Sequence, residues 1–184
     1  MGLIYFQDGT IIAESDDVKV YEMDGDLYLE KGPAHNLWAS SWEIRDYKEQ
    51  LKDIPKGNCL EIGLGLGVVS NYILNLAGVN HLTTIEIDRD VVECYKNLNP
   101  NYNINHTIFI DDVNHALPIL VNQKIKYDFI FFDHYSLIDE DTIKELAELV
   151  PTAKRLLATS GKIMGWFDPF TPEEFIDAFY KLWA

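Results

Sequence analysis

A chain of 184 residues, 47% hydrophobic and 12% aromatic, is long enough for one compact domain with a substantial core and too apolar for a disordered segment. Thirty acidic against fifteen basic residues give a formal charge of −15, which disfavours a groove that tracks nucleic-acid phosphates, because such binding rests on Lys and Arg contacts. No apolar run approaches the roughly 18 residues that span a bilayer, no signal peptide is expected at Met1, and neither Cys59 nor Cys94 has a Cys or His partner at zinc-ligand spacing, so both are expected to be reduced core residues of a cytoplasmic protein.

Up to about Glu30 short apolar runs alternate with turn residues: Leu3 to Phe6, Thr10 to Ala13, Val18 to Met23 and Leu27 to Leu29. With the turn dipeptides Asp8-Gly9 and Asp24-Gly25 they predict β-hairpins, and residues 1–36 are read as an N-terminal extension. Trp38 to Leu51 carries apolar residues at helical spacing, with a cap expected at Asn36. Its stripe of Trp38, Trp42 and Tyr47 is the kind that usually packs into a core. Residues 37–184 then form the main domain. Strands are predicted near Cys59 to Ile62, Leu82 to Ile87, Thr107 to Ile110, Tyr127 to Phe132 and Lys162 to Phe167. Helices are predicted near Val68 to Leu76, Arg89 to Leu98, Asn114 to Val121, Asp141 to Leu157 and Pro172 to Trp183. Apolar strands between amphipathic helices define an α/β chain with a Rossmann-like, mostly parallel sheet covered by helices on both faces.

Such a sheet places its site at the carboxyl ends of the strands, and the residues there carry chemistry. Gly63, Gly65 and Gly67 follow the first core strand at a spacing of G-x-G-x-G, whereas a dinucleotide fingerprint needs two residues between its second and third glycines. Glu61, just before the loop, would repel a pyrophosphate and attract an ammonium. Glu86 ends the next strand, where α/β nucleotide-binding folds hold ribose hydroxyls, and Ile87 follows it. Asp111, Asp112 and Val113 follow the third strand: an Asp there caps the next helix, and a carboxylate can also accept from an adenine amine. Asp133 ends the long apolar strand Tyr127 to Phe132, with His134 and Tyr135 next to it.

These motifs resemble the class I S-adenosyl-L-methionine (SAM) methyltransferase superfamily, with the glycine loop as its E/D-x-G-x-G-x-G motif. The resemblance implies that Glu61 and the glycines hold the methionine part, Glu86 and Ile87 the ribose end, and Asp112 and Val113 the adenine, that Asp133 also borders the cofactor beside its sulfonium methyl, and that S-adenosylhomocysteine is the product. Most of the chain is similar to spermidine synthase, in the N-terminal hairpins, the Glu-Ile-Asp at residues 86–88 and the acidic end of the fourth strand. The second aspartate of that family's catalytic motif is replaced here by Ser136. Asp133-His-Tyr-Ser-Leu137 resembles guanidinoacetate methyltransferase, and Phe-Phe-Asp-His134 resembles catechol O-methyltransferase, whose aspartate binds magnesium. Asp168 would be the second carboxylate of such a metal site, but Pro169 stands where an Asn ligand belongs, so no metal is expected. The amino-methyltransferase tetrapeptide Asn/Asp-Pro-Pro-Tyr/Phe is absent after Asp133, which further disfavours nucleic-acid modification. The implied activity is methyl transfer to a small amine, guanidine or hydroxyl placed by the catalytic Asp133, in a pocket walled by His134, Tyr135 and Trp42. The alternatives are aminopropyl transfer from decarboxylated SAM, or SAM or nucleoside binding without catalysis. Relative to the family the sheet reads as shortened at the C-terminus, so its fifth strand is expected to be covered by the N-terminal hairpins or by a second copy in a homodimer. No membrane partner is expected.

Overall fold

A computed structural model of the chain describes residues 9–33, 36–52, 54–101, 104–167 and 170–184. The run Leu3 to Phe6, together with Asp8, lies outside them, as do Asp168 and Pro169.

Four antiparallel strands come first: β1 (Thr10–Ser15), β2 (Val18–Met23), β3 (Asp26–Lys31) and β4 (Asn36–Ser40), paired in chain order. Two-residue turns close the first two hairpins. At Asp24-Gly25 both residues take positive φ, 54° and 86°, which matches the twist of the flanking strands. The main sheet is parallel, in the order β7-β6-β5-β8-β9. Its strands are β5 (Gly57–Ile62), β6 (Val79–Glu86), β7 (His106–Ile110), β8 (Tyr127–Phe132) and β9 (Leu157–Gly165). The helices are α1 (Ile44–Gln50), α2 (Val68–Leu74), α3 (Arg89–Leu98), α4 (Val113–Asn122), α5 (Glu140–Lys154) and α6 (Glu173–Trp183). The chain first extends from β5 to β6 and β7, then returns to lay β8 on the other side of β5, so the topological switch point falls beside the glycine loop.

Alternate residues of the central strands feed two cores. Leu60, Ile62, Ile130 and Phe132 pack under α4, α5 and α6, whereas Cys59, Leu82, Phe129 and Phe131 pack with Tyr47, Val69 and Ile73 on the opposite face. A third cluster joins the small sheet to the large one, with Val18, Val20 and Leu29 against Leu64 and Leu66 of the glycine loop and Val91, Val92 and Tyr95 of α3.

Two boundaries differ from the sequence reading. Asn36–Ser40 is a strand and not the start of a helix, because it pairs with β3 from Tyr28↔Ser40 to Lys31↔Asn36. Asn36 is therefore no helix cap, and a single 3-10 turn at Ser41–Glu43 leads into α1. Tyr47 of the proposed stripe is buried, but Trp38 and Trp42 are 47% and 40% exposed. The last helix-to-strand change also comes earlier. α5 ends at Lys154 and β9 begins at Leu157, pairing Tyr127↔Leu157 before the register shifts to Phe129↔Lys162. The N-terminal hairpins pack on α3 rather than on β9, and β9 has no strand beyond it among the described residues. Cys59 and Cys94 are buried free thiols, and no helix of the described residues is long and apolar enough to cross a membrane.

One ion pair ties the small sheet to the large one. Lys31 at the end of β3 donates to Asp88 and lies over the Trp38 ring at 4.7 Å. Asp88 in turn caps α3 by accepting from the Asp90 and Val91 N–H groups. Burial pushes the Asp88 carboxyl up, but the Lys31 hydrogen bond and charge with the capping N–H groups outweigh it and hold the group below its ordinary value. Its contribution is therefore present above the unfolded value of 3.8 and is lost as pH falls through the depressed native value. Lys31→Met leaves this buried carboxylate short of its partner and should destabilise the chain by about 1–3 kcal/mol in chemical denaturation at pH 7. The gap between variant and wild type should close on acidification below the ordinary carboxylate range; a gap that widens there would exclude the ion pair as its cause.

Candidate cofactor and active site

Parallel strands in register end on one edge, and β5, β6 and β8 end here in carboxylates. Glu61 lies opposite Thr84 on β6 and Phe131 on β8, Glu86 closes β6, and Asp133 follows β8, its N–H bonded to Ile62 O at 2.7 Å. The glycine loop between β5 and α2 needs its glycines on steric grounds. Gly63 has φ 96°, and a Cβ there would stand 2.4 Å from the Asp133 carbonyl oxygen; Gly67 has φ 69°, and a Cβ there would stand 2.1 Å from the Tyr95 ring. Gly65 turns against Ala39 of β4. The loop is thereby clamped between β8, α3 and the small sheet.

Glu61 is fully buried. Its Oε2 accepts from Ser70 Oγ of α2 and, at 2.7 Å, from Thr84 Oγ1, while Oε1 has no hydrogen-bond partner. Burial is the largest cause pushing its carboxyl up to about 7; the two hydroxyls oppose the rise, and the charge of Glu86 adds to it. Glu86 accepts from Leu64 N–H at 2.9 Å and Asp88 N–H at 2.8 Å, so the carboxylate at the end of β6 braces the glycine loop. Burial raises Glu86 as well. Asp133 receives the Tyr47 hydroxyl across both oxygens, at 3.0 and 2.9 Å. Burial and then the charge of Glu61 hold Asp133 well above the usual carboxylate range, against the lowering effect of the Tyr47 bond. Glu43, bonded by Ser40 Oγ at 3.2 Å, is raised mainly by burial. Among the described residues no Lys or Arg pairs with Glu61, Glu86 or Asp133, and no cluster of His, Cys, Asp and Glu is arranged to hold a metal ion.

The other singled-out residues lie at the same end of the sheet with different surroundings. Ile87 is 65% exposed beside Glu86. Asp112 caps α4 by accepting from Asn114 N–H at 2.7 Å, and Val113 opens that helix. His134 Nε2 lies 3.3 Å from Glu145 of α5, and its buried Nδ1 has no partner. Tyr135 donates to Trp166 O at 2.7 Å, so its hydroxyl is spent on the sheet. Trp42 sits in the 3-10 turn next to Glu43.

Tyr47 is the residue that sequence reasoning placed only in a core stripe; it is 86 positions from Asp133, and no local pattern links the two. Ser70 and Thr84 were likewise passed over. A hydroxyl in the first turn after the glycine loop, and another facing Glu61 across the parallel register, are the signals that would have found them.

Solved structures share this architecture. Spermidine synthase from Thermotoga maritima superposes with a TM-score of 0.68 at 18% identity, over 95% of this chain and 62% of that one. A SAM-dependent methyltransferase from Agrobacterium tumefaciens gives 0.59 at 11%, over 92% and 59%, and a candidate methyltransferase complexed with SAH gives 0.61 at 14%, over 92% and 46%. The chain thus spans about three-fifths of the length of the spermidine synthase it matches. It matches no protein-family model, and no curated protein matches it. The fold is the class I methyltransferase-like fold, α/β and Rossmann-like, with an added antiparallel N-terminal sheet.

The unpartnered carboxylate sets a pH dependence. Glu61 rises from 4.5 to about 7 on folding, so the ligand-free chain binds an extra proton between those values. That stabilising contribution is fully present below 4.5 and is lost as pH rises through 7, by up to about 3 kcal/mol. Glu61→Gln should therefore raise the melting temperature of the ligand-free chain at pH 8 and leave it nearly unchanged at pH 5. Equal effects at both values would mean that Glu61 is not buried as an acid.

Proposed function

We propose that the chain is a SAM-dependent methyltransferase of a small nucleophile. The observation that carries this reading is Glu61: a buried carboxylate beside a glycine loop, one oxygen unpartnered, with Glu86 and Asp133 near it and no Lys or Arg paired with any of the three among the described residues. A cationic ligand group relieves that arrangement, and an anionic pyrophosphate worsens it. SAM carries an ammonium and a sulfonium, and supplies an electrophilic methyl carbon. Glu61 and the loop would receive the methionine end, Glu86 with Ile87 the ribose, and Asp112 with Val113 the adenine. Asp133, held by Tyr47, would accept a hydrogen bond or a proton from the nucleophile and align its lone pair, so that catalysis rests mainly on orientation. His134 and Tyr135 would wall the acceptor side, with Trp42 at the rim. The SAH bound by one similar structure supports the cofactor assignment.

Aminopropyl transfer from decarboxylated SAM is the second reading, favoured by the overlap with spermidine synthase over 95% of the chain and opposed by Ser136 where that family's motif has its second aspartate.

Calorimetry against SAM, S-adenosylhomocysteine, decarboxylated SAM and NAD tests the assignment. Binding of SAM and its product is expected, with Glu86→Ala weaker by roughly 1–3 kcal/mol. Tighter binding of NAD would sink the reading, and tighter binding of decarboxylated SAM would select aminopropyl transfer. On an acceptor found by screening amines, guanidino compounds and catechols with and without magnesium, Asp133→Asn should keep SAM affinity and lower turnover about a hundredfold. Unchanged turnover would make Asp133 structural.

A further inference from the structure

Behind Glu61 a line of buried polar groups crosses the sheet. Thr84 Oγ1 of β6 lies 2.7 Å from Glu61 Oε2 and 2.8 Å from His106 Nε2 of β7. His106 Nδ1 lies 3.4 Å from the Tyr95 hydroxyl of α3, which lies 3.1 Å from Asn71 Oδ1 of α2. Glu61, Thr84, His106 and Tyr95 are all buried. Tyr95 and Asn71 also wall a surface cavity of about 370 Å³ with Asn75 and Asn99, so the line runs from Glu61 to an open cavity between the ends of α2 and α3.

The donors in this line can be arranged in two ways. Burial holds His106 down at about 4, so its ring is neutral near pH 7 and carries one N–H. With that proton on Nε2, His106 donates to Thr84, Thr84 donates to an ionised Glu61, and the Tyr95 proton turns to Nδ1. With it on Nδ1, His106 donates to Tyr95, Tyr95 to Asn71, and Thr84 to Nε2, while Glu61 must be protonated to donate to Thr84. Each setting is internally consistent, and they differ by one proton, that of Glu61. The groups facing Glu61 do not decide the matter by charge: they are Ser70 of α2, Thr84 and Glu86 of β6, Asp133 after β8 and Tyr47 of α1, none of them cationic. Thr84, Tyr95 and His81 are among the groups that face His106, and burial followed by His81 lowers its ring.

We propose that His106 is a positioning residue for Glu61. By moving its ring proton between Nδ1 and Nε2 it turns Thr84 toward the carboxylate and carries the Glu61 proton out when a cationic group enters the pocket. The balance closes at every link. The Glu61 proton passes to Thr84 Oγ1, the Thr84 proton to His106 Nε2, the Nδ1 proton to the Tyr95 oxygen, and the Tyr95 proton to water in the cavity beside Asn71. The inference deepens the cofactor reading and rests on it for the identity of the cation.

The test is nitrogen-15 NMR of the full chain labelled in histidine, with His106 assigned by difference from His106→Gln, alongside carbon-13 NMR of the Glu61 carboxyl. In the ligand-free chain the His106 tautomer should pass from Nδ1–H to Nε2–H as Glu61 ionises. His106→Phe should raise the Glu61 midpoint by about one pH unit, since a donor to the carboxylate's partner is lost, and His106→Gln, which can donate to Thr84, should restore most of it. A single tautomer across the Glu61 titration overturns the proposal even if His106→Phe does not fold, and so does an unmoved midpoint in a folded variant. If S-adenosylhomocysteine binds at a pH below the Glu61 midpoint without a tautomer change, the relay is refuted and the cofactor reading survives. A tautomer change with no affinity for SAM or its product keeps the relay and removes the cofactor reading.

Discussion

Carboxylates buried beside one another with no positive partner are costly, and the structure around β5, β6 and β8 is organised by that cost. Parallel strands in register must end on the same edge, so Glu61, Glu86 and Asp133 converge there. Each is met by neutral donors: hydroxyls for Glu61, backbone N–H groups for Glu86, and the Tyr47 hydroxyl for Asp133. These donors hold the carboxylates in place without cancelling their charge, and the carboxyls answer by rising above their ordinary range. Keeping three such carboxyls together without a positive partner costs stability, and the raised Glu61, Glu86 and Asp133 carboxyls are the sign of that cost.

The antiparallel N-terminal sheet takes part in the same arrangement. Its apolar face rests on Leu64 and Leu66, the residues between the glycines, and on α3. Lys31 fastens it to Asp88, two positions beyond Glu86, and Ala39 of β4 closes on Gly65. The segment that follows delivers Glu43 and Tyr47 to Asp133. A loop whose glycines have no side chains to anchor it is held by packing from outside, so the small sheet bears on the geometry of the glycine loop as well as on stability.

Where the local pattern and the tertiary environment agreed, the elements were legible in the chain. α3 shows it best, with a helical apolar period and the predicted span Arg89–Leu98, to which the structure adds Asp88 as cap. Where they disagreed, the environment prevailed. Trp38 to Leu51 has a helical period, but its first residues belong to Asn36–Ser40, where Asn36, Leu37, Ala39 and Ser40 pair with β3, and a short isolated helix cannot compete with such pairing. The boundary between α5 and β9 moved because strand pairing with Tyr127 draws Leu157 into the sheet.

By itself the sequence determined the kind of fold and one end of the site. Alternating strands and helices, the three glycines and acidic residues at strand ends depend on local spacing, which the chain order carries directly. Tertiary structure alone decided which groups face those acids. Tyr47 and Asp133 are 86 residues apart, and Glu61, Thr84, His106 and Tyr95 come from three strands and a helix. Strand order and register set these meetings, and both follow from packing of the whole chain, which no local window contains.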